Sequence, residues 1–402
     1  HMSSQTLKGS NLTTVRGINE RLILHLIREQ GELTKADTTR LTGLSPNAIS
    51  VIFRALEEDN LLLRGQPIRG RIGQPSVPMR LNPNARYYLG FKIGRRTFEL
   101  ALVNFTGTIL AEAKDTHKYP TPENTLEFVT KSLPSLLLTA GKSPEQISAF
   151  NVAMPFELWS WSADFDAPEH EMAAWRDFDL KSQLSQRTQW PVTVHNDGNA
   201  ACRAELIFGP PVEARDFIYF FVGAFIGGGI VLNGAVFPGR SGNAGGFGPM
   251  RVPDNNGADR LVDHASLVVL EHLVAQRDQG LAASLYAEGF DWSLVEPELT
   301  VWLTRAGRSL AYAVISALAV IDFEAVMVDG GFPADICKRL VREVQTHLAT
   351  LDKQGVVCPE IKAGHFNYRA GVLGAAAYQI STEFMIDQNT LLQRSPDALI
   401  KK

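Results

Sequence analysis

The sequence predicts an α/β protein of two similar halves carried behind an amino-terminal winged helix-turn-helix module, and three observations predict it. Residues 1–82 hold three helical runs closed by a basic hairpin. From Tyr88 the pattern changes to strands alternating with helices, and a similar order restarts at Phe217. At 402 residues and 45% hydrophobic content the chain exceeds what one ordinary core organises, so two or three packed units are expected.

The opening His1-Met2 reads as a cloning remnant and is set aside. Neither a signal peptide nor an apolar run long enough to span a bilayer is found, so a cytoplasmic protein without membrane contact is expected. Cys202, Cys337 and Cys358 are scattered without paired spacing, which argues against a disulfide framework and a cysteine-rich zinc site and for buried thiols.

In the module, Val15, Ile18, Leu22 and Leu26 recur at helical spacing with Ile23 and Ile27 one turn offset, and Gly31 stops the run that began at Thr14. Thr34 is placed to cap a second short helix through Leu41, and Gly43 supplies a turn. Ser45-Pro46 then opens a third helix, Ser at the cap and Pro in the first turn. That helix turns Ile49, Ile52, Phe53 and Leu56 inward and leaves Asn47, Ala48, Ser50, Val51 and Arg54 outward. Small and polar side chains there suit a major groove, where Asn and Arg read base edges. Residues 61–64 and 77–81 form the two strands of a wing. Its turn, Arg69-Gly70-Arg71-Ile72-Gly73-Gln74-Pro75, is small and cationic enough to lie on phosphates or enter a narrow minor groove; a plain flexible linker is the competing account. The candidate DNA contacts are therefore Ser45, Asn47, Ala48, Ser50, Arg54, Arg69, Arg71 and Gln74.

Charge agrees with this division. Residues 1–82 carry eleven Lys/Arg against seven Asp/Glu, a net of +4, so the whole-chain charge of -4 leaves -8 for the remainder. Between Asn60 and Phe98 there is no acidic residue at all. The stretch fits a phosphate-facing surface, although charge alone fits a solvated one equally well.

Strands are expected at 88–93, 98–104 and 108–114, a helix over 125–139, a strand at 148–154, a helix over 180–188 and a strand at 192–195. Strands at 217–222, 229–233 and 235–237 form a second meander. Val103-Asn104-Phe105-Thr106-Gly107-Thr108-Ile109 has a shortened echo in Val231-Leu232-Asn233-Gly234-Ala235-Val236. Residues 299–321 read as one long apolar helix suited to burial or a subunit interface, and 325–329 as a strand leading into Gly330-Gly331.

Six motifs now fall in order: Leu89-Gly90-Phe91-Lys92-Ile93-Gly94, His195-Asn196-Asp197-Gly198-Asn199-Ala200-Ala201, Gly227-Gly228-Gly229-Ile230, the glycine-rich run 239–250, Asp329-Gly330-Gly331, and Ala370-Gly371-Val372-Leu373-Gly374-Ala375-Ala376. The series resembles the ROK family of repressors and sugar kinases over nearly the whole chain. Gly43-Leu44-Ser45-Pro46 and Leu81-Asn82-Pro83 resemble its repressor branch, such as the N-acetylglucosamine and xylose repressors. The resemblance implies a two-lobed actin-like ATPase (ribonuclease H-like) fold behind the winged helix. The implied domains are 1–82 for DNA binding, 83–196 for the first lobe joined by 380–402, and 197–379 for the second lobe with the effector cleft and oligomer interface.

Against that family the site has changed. Its kinases need a carboxylate and small residues in the first strand turn, where metal-bound phosphates approach the backbone; here stand Lys92 and Gly94-Arg95-Arg96. Interlobe or surface salt-bridging is the expected role of the two arginines, binding of an anion being the alternative. The second phosphate turn, Gly-Thr-Gly in the family, reads Gly223-Ala224-Phe225. The sugar-binding Glu and the zinc-joining His align, through Ala244-Gly245 and Gly248, with Gly246 and Pro249, and 253–260 holds no cysteine. A further sugar-binding Glu falls at Val262, with Asp263 and His264 beside it. Asn196 and Asp197 survive. The matching Asp is the kinase general base; without a donor it is expected to accept effector hydroxyls, or else to cap the following helix. Trp159 and Trp161 stand where the family has small residues, so a larger glycoside is the expected effector, packing being the alternative.

The expected function is a DNA-binding transcriptional regulator, a repressor without enzymatic activity, cofactor or metal. A carbohydrate-like effector is expected at Asn196, Asp197, Gly245, Gly246, His264 and Trp159, and a homodimer or homotetramer on a double-stranded DNA operator. Its rival is an active ATP-dependent sugar kinase with a fused DNA-binding module; a scaffold controlled by a protein partner has no positive sign in the sequence.

Overall fold

Residues 17–69, 76–158 and 167–386 are described by a computed structural model of the chain. Helix α1 (Ile18–Gln30) buries Ile23, Leu24 and Ile27 and ends where Gly31 takes a φ of 87°, a left-handed conformation unfavourable to any residue with a Cβ. Thr14, its expected start, lies outside the described residues. After strand β1 (Glu32–Leu33), Thr34 caps α2 (Lys35–Thr42) reciprocally: its hydroxyl accepts from the Asp37 amide and the Asp37 carboxylate accepts from its own amide. Ser45 caps α3 (Pro46–Glu58), whose Ile49, Phe53 and Leu56 point inward. Strands β2 (Leu62–Arg64) and β3 (Met79–Leu81) pair antiparallel, and β1 adds to β3, giving the order β1-β3-β2. The sequence showed two of these strands; the third is too short to display alternation.

The first large sheet opens with an antiparallel meander, β4 (Tyr87–Ile93), β5 (Thr97–Asn104) and β6 (Ile109–Thr116). Helix α4 (Pro122–Ala140) leads to β7 (Ile147–Met154), and α5 (Glu169–Ala173) and α6 (Leu180–Thr188) lead to β8 (Val192–Asn196). The order is β6-β5-β4-β7-β8, with β7 parallel to β4 and β8 parallel to β7. Period-two alternation divides β4 between two cores. Tyr87, Leu89, Phe91 and Ile93 meet Phe128 and Leu136 of α4 and Leu184 of α6, while Tyr88 faces the other side.

After α7 (Asp197–Phe208) the plan repeats. Strands β9 (Phe217–Val222), β10 (Ile226–Leu232) and β11 (Ala235–Phe237) form a second meander. Helices α8 (Val262–Ala265), α9 (Leu267–Ala275), α10 (Gln279–Ala283) and α11 (Glu296–Val320) separate it from β12 (Ala325–Gly330); α12 (Ala334–Leu348), β13 (Ile361–Ala363) and α13 (Ala370–Ala376) follow. The order β11-β10-β9-β12-β13 matches the first sheet strand for strand, including the parallel pairs at its end. The short sequence echo falls on the β5–β6 and β10–β11 turns, equivalent places in the two sheets. Leu299, Trp302, Leu303 and Leu310 of α11 are buried in the second lobe's core, which accounts for its long apolar run.

Helices α7 and α13 lie together between the lobes, and small residues let them approach. A Cβ on Gly374 would sit 1.5 Å from the Ala200 carbonyl oxygen, one on Gly198 2.3 Å from the Gly228 amide, and one on Gly90 2.2 Å from the Val372 carbonyl oxygen. The chain thus returns to the first sheet at α13, ahead of the boundary at 380 expected from sequence. Among the described residues no helix is long and apolar enough to cross a membrane.

Candidate functional site

The cleft between the lobes has a volume of about 660 Å³ and is walled by loops at the ends of strands. The β8–α7 junction contributes Asn196 and Asp197. Asn196, and not Asp197, is the helix cap: its side-chain oxygen accepts from the Asn199 amide at 3.1 Å, and its Nδ2 donates to Asn243 Oδ1 at 3.4 Å. Asp197 lies one position into the helix, where the macrodipole favours a carboxylate. One of its oxygens accepts from the Gly198 amide at 2.8 Å, and it lines the cleft with no ion-pair partner among the described residues.

Across the cleft the end of β4 and the β4–β5 turn carry three cations, each with a neighbour. Lys92 Nζ lies 3.8 Å from Glu99 and 4.8 Å from the centre of the Phe221 ring. The buried Arg95 guanidinium stacks on Phe225 of the β9–β10 turn at 3.9 Å. Arg96 Nε pairs with Glu271 of α9 at 3.2 Å, and the Tyr286 hydroxyl donates to the same carboxylate at 3.0 Å. Burial, with Glu271 beside it, holds the Tyr286 phenol well above its ordinary range. Interlobe pairing, expected for the two arginines, is what Arg96 does.

The loop 239–250 meets the cleft through Asn243, Gly246 and Pro249. Gly245 lies behind them. It holds a φ of 87°, and a Cβ there would sit 2.7 Å from the Gly228 carbonyl oxygen, so its glycine serves the approach of this loop to β10. His264 is not brought to the cleft. It is buried, its Nδ1 accepts from Arg305 Nε at 3.0 Å, and its Nε2, which must then carry the proton, donates to the Ala258 carbonyl at 2.5 Å. It ties α11 to the loop before α8. Its neighbour Asp263 pairs with Arg260 at 2.9 Å. Trp159 and Trp161 lie outside the described residues.

A second surface is the outer face of α3. Asn47, Val51 and Arg54 are exposed along it, Val51 at 66%. The two serines are engaged in the helix itself: Ser45 accepts from the Ala48 amide at 3.2 Å, and Ser50 donates to the Pro46 carbonyl at 2.9 Å. Ala48 is half-buried. Arg69 is exposed at the edge of the described hairpin, whereas Arg71 and Gln74 lie outside the described residues. Arg64 on β2 pairs with Glu57 at 2.9 Å.

A model of the ROK family matches residues 88–381. The chain belongs to the ROK family. Its sequence is 25% identical over 243 residues to the xylose repressor of Bacillus spizizenii, a match that covers 60% of this chain and spans about 62% of that protein's length. A ROK family transcriptional regulator described as a homolog of the E. coli MLC protein superposes with a TM-score of 0.61 at 19% identity, over 94% of this chain and 97% of that one. A ROK family glucokinase from Streptomyces griseus, in complex with glucose and AMPPNP, superposes with a TM-score of 0.55 at 20% identity, over 73% of this chain and 98% of that one. The ROK fold is thus the mixed α/β frame shared by sugar kinases and repressors.

Within this ROK frame the structure gathers Asn196, Asp197 and Gly246 at one cleft, leaves Gly245 behind its wall and places His264 elsewhere. The sequence reading did not single out the segment 285–292, which brings Tyr286, Phe290 and Trp292 to the same cleft. No motif marks it; its only signal is a local excess of aromatics. Arg28 likewise carries no mark in the sequence. Its guanidinium donates to the Phe105 carbonyl at 3.1 Å and lies over the rings of Phe105 and Phe208, and burial lowers its pKa to about 10.

Proposed function

We propose that this ROK protein is a DNA-binding transcriptional regulator, a repressor acting in the cytoplasm as a homodimer or homotetramer, whose cleft senses a carbohydrate-like effector and does not transfer phosphoryl groups. The amino-terminal module is a winged helix: α3 enters the major groove with Asn47, Val51 and Arg54, while Arg69, Arg71 and Gln74 lie along phosphates or a narrow minor groove. Ser45 supports that helix as its cap, and Ser50 braces its first turn. A symmetric assembly matches twin half-sites.

The observation that carries the regulatory part is the placement of α7. Its first residue lines the cleft and its last, Phe208, packs on Arg28 of the module and on Gly107. A ligand bound at Asn196 and Asp197 therefore acts on the end of a rod of about 18 Å whose other end meets the DNA-binding unit. An effector that favours one lobe arrangement biases the orientation of the winged helix by that difference in affinity. Against kinase activity stands the bridge between the two turns where triphosphate would run, Arg95 stacked on Phe225. The repressor name of a relative and the regulator superposed over nearly its full length support the same reading.

Two measurements test it. Duplexes enriched from a random-sequence library by the wild-type protein are titrated by anisotropy against Arg54→Ala, which is expected to lose about 1–3 kcal/mol of binding. Arg71→Ala is expected to weaken all duplexes alike and lower the salt slope by about one unit. Failure to enrich any duplex sinks the DNA-binding reading. A coupled ATP-consumption assay over hexoses, hexosamines and pentoses is expected to give no turnover above background; measurable turnover overturns the non-enzymatic reading in favour of a kinase with a fused DNA module.

A further inference from the structure

The cleft has two chemically different ends. At one, Gly198 beside Asp197 packs on the backbone of β10 near Gly227 and Gly228, and the wall is polar. Along the β9–β10 hairpin the wall passes through its turn at Phe225. Beyond it, the Gly223 carbonyl accepts from the Leu267 amide, and Glu271 on the same helix holds the Tyr286 hydroxyl. The segment that begins there supplies Phe290 and Trp292, whose rings meet edge to face with centroids 5.6 Å apart and 85° between planes. Both rings are half-buried, so each keeps surface toward the cleft. A volume of about 660 Å³ is well within the range of about 300–1,000 Å³ that holds a drug-sized ligand, and leaves room beyond one sugar ring.

Charge narrows the occupant further. Arg96 is paired with Glu271, Lys92 stands beside Glu99, and Arg95 is stacked on Phe225. Arg260, also in the lining, pairs with Asp263, and Lys114 lies by the Tyr368 ring. An anion drawn to Lys92, Arg96 or Arg260 must therefore compete with a carboxylate already there, whereas an uncharged ligand leaves those pairs in place. The C–H faces of a pyranose stack on aromatic rings, and its hydroxyls suit Asn and Asp.

We propose that the effector is a neutral disaccharide, its first ring hydrogen-bonded by Asn196 and Asp197 and its second ring stacked in an aromatic subsite formed by Phe290 and Trp292. This rests on the reading of the cleft as an effector site. The test is calorimetry on the full chain with maltose, cellobiose, lactose, melibiose, trehalose and sucrose, alongside glucose, galactose, fructose and adenosine. At least one disaccharide is expected to bind at least about tenfold tighter than either of its component sugars, the step that about 1.4 kcal/mol of added contact supplies. Trp292→Ala is expected to remove that advantage and leave monosaccharide binding unchanged. Phe290→Leu, a milder change, serves if the first variant fails to fold, and is expected to weaken the disaccharide alone. A monosaccharide that binds as tightly as every disaccharide overturns the second subsite while the effector reading stands. Tight adenosine binding sensitive to Trp292→Ala overturns it in favour of a retained nucleoside pocket. Binding of no sugar in the panel overturns both.

Discussion

Gly374 shows a single position at which local and tertiary preferences oppose each other. It lies inside α13, where alanine would ordinarily be favoured over glycine by about 1 kcal/mol. Its Cβ, however, would fall 1.5 Å from the Ala200 carbonyl oxygen of α7, a backbone atom that cannot swing aside. The clash wins: Gly374→Ala is expected to destabilise by about 1–3 kcal/mol, read as a lower urea midpoint, and a raised midpoint would refute the close contact. Two histidines make a second residue-scale case. Burial lowers the pKa of His117 to about 4 and of His195 to about 3, both below the ordinary value near 6.5. The unfolded chain therefore binds protons that the folded one refuses. Their contribution is complete above about pH 6.5 and is lost as pH falls toward 4 and 3, at up to about 1.4 kcal/mol per pH unit for each. His195→Gln is expected to reduce the slope of stability between pH 6 and 4 by about one proton; an unchanged slope would mean that His195 is charged in the fold. At this scale sequence reading is weakest. Asn and Asp are equally good caps, and the sequence puts the cap at Asp197, one residue after Asn196, which makes it. His264 neighbours a cleft-directed loop in sequence, yet its ring is turned to Arg305 by packing that adjacency does not reveal.

At the scale of elements most of the fold was legible, because strands and helices of this chain carry their burial pattern locally. The helix over 180–188 and the strands at 217–222 and 235–237 stand at their expected limits. The restart of the pattern at Phe217 corresponds to a second sheet of the same strand order. What the elements do not announce is their partners. Helix α7 reads as an ordinary capped helix, and only its placement shows that it joins the cleft to Arg28. Phe208→Ala is expected to leave affinity for a selected duplex within the range of a surface change while uncoupling the two sites. By reciprocity, duplex binding to the wild type should alter hydrogen exchange at the first-turn amides of α7, and the variant should lose that response, a coupling of about 1–3 kcal/mol. Equal responses in both proteins would exclude α7 as the connection.

For the molecule as a whole, the amino-terminal module shares its interior with the rest of the chain. One continuous core contains Ile23, Ile27, Phe53 and Leu62 of the module, Tyr88 and Val103 of the first sheet with Phe105 of its β5–β6 turn, and Val372, Leu373, Ile380 and Phe384 near the carboxy terminus. Polar bonds reinforce it: the buried Arg21 of α1 donates to the carbonyls of Met385, at 3.0 Å, and Thr382. In the sequence each of these stretches looks like an ordinary amphipathic element, and a boundary at residue 82 follows from the change of periodicity there; nothing local records that both sides share an interior. The consequence is testable far from the module. Phe384 is 4% exposed and meets Phe105 edge to face at 5.3 Å, so Phe384→Ala is expected to cost about 3–5 kcal/mol. Because the core is shared, that loss should appear equally in the hydrogen-exchange protection of α1 and of β4, with one thermal transition for both. If instead β4 alone loses protection while α1 keeps its own, the module is thermodynamically independent, and the proposed coupling to the cleft would have to run through α7 without help from the carboxy-terminal segment.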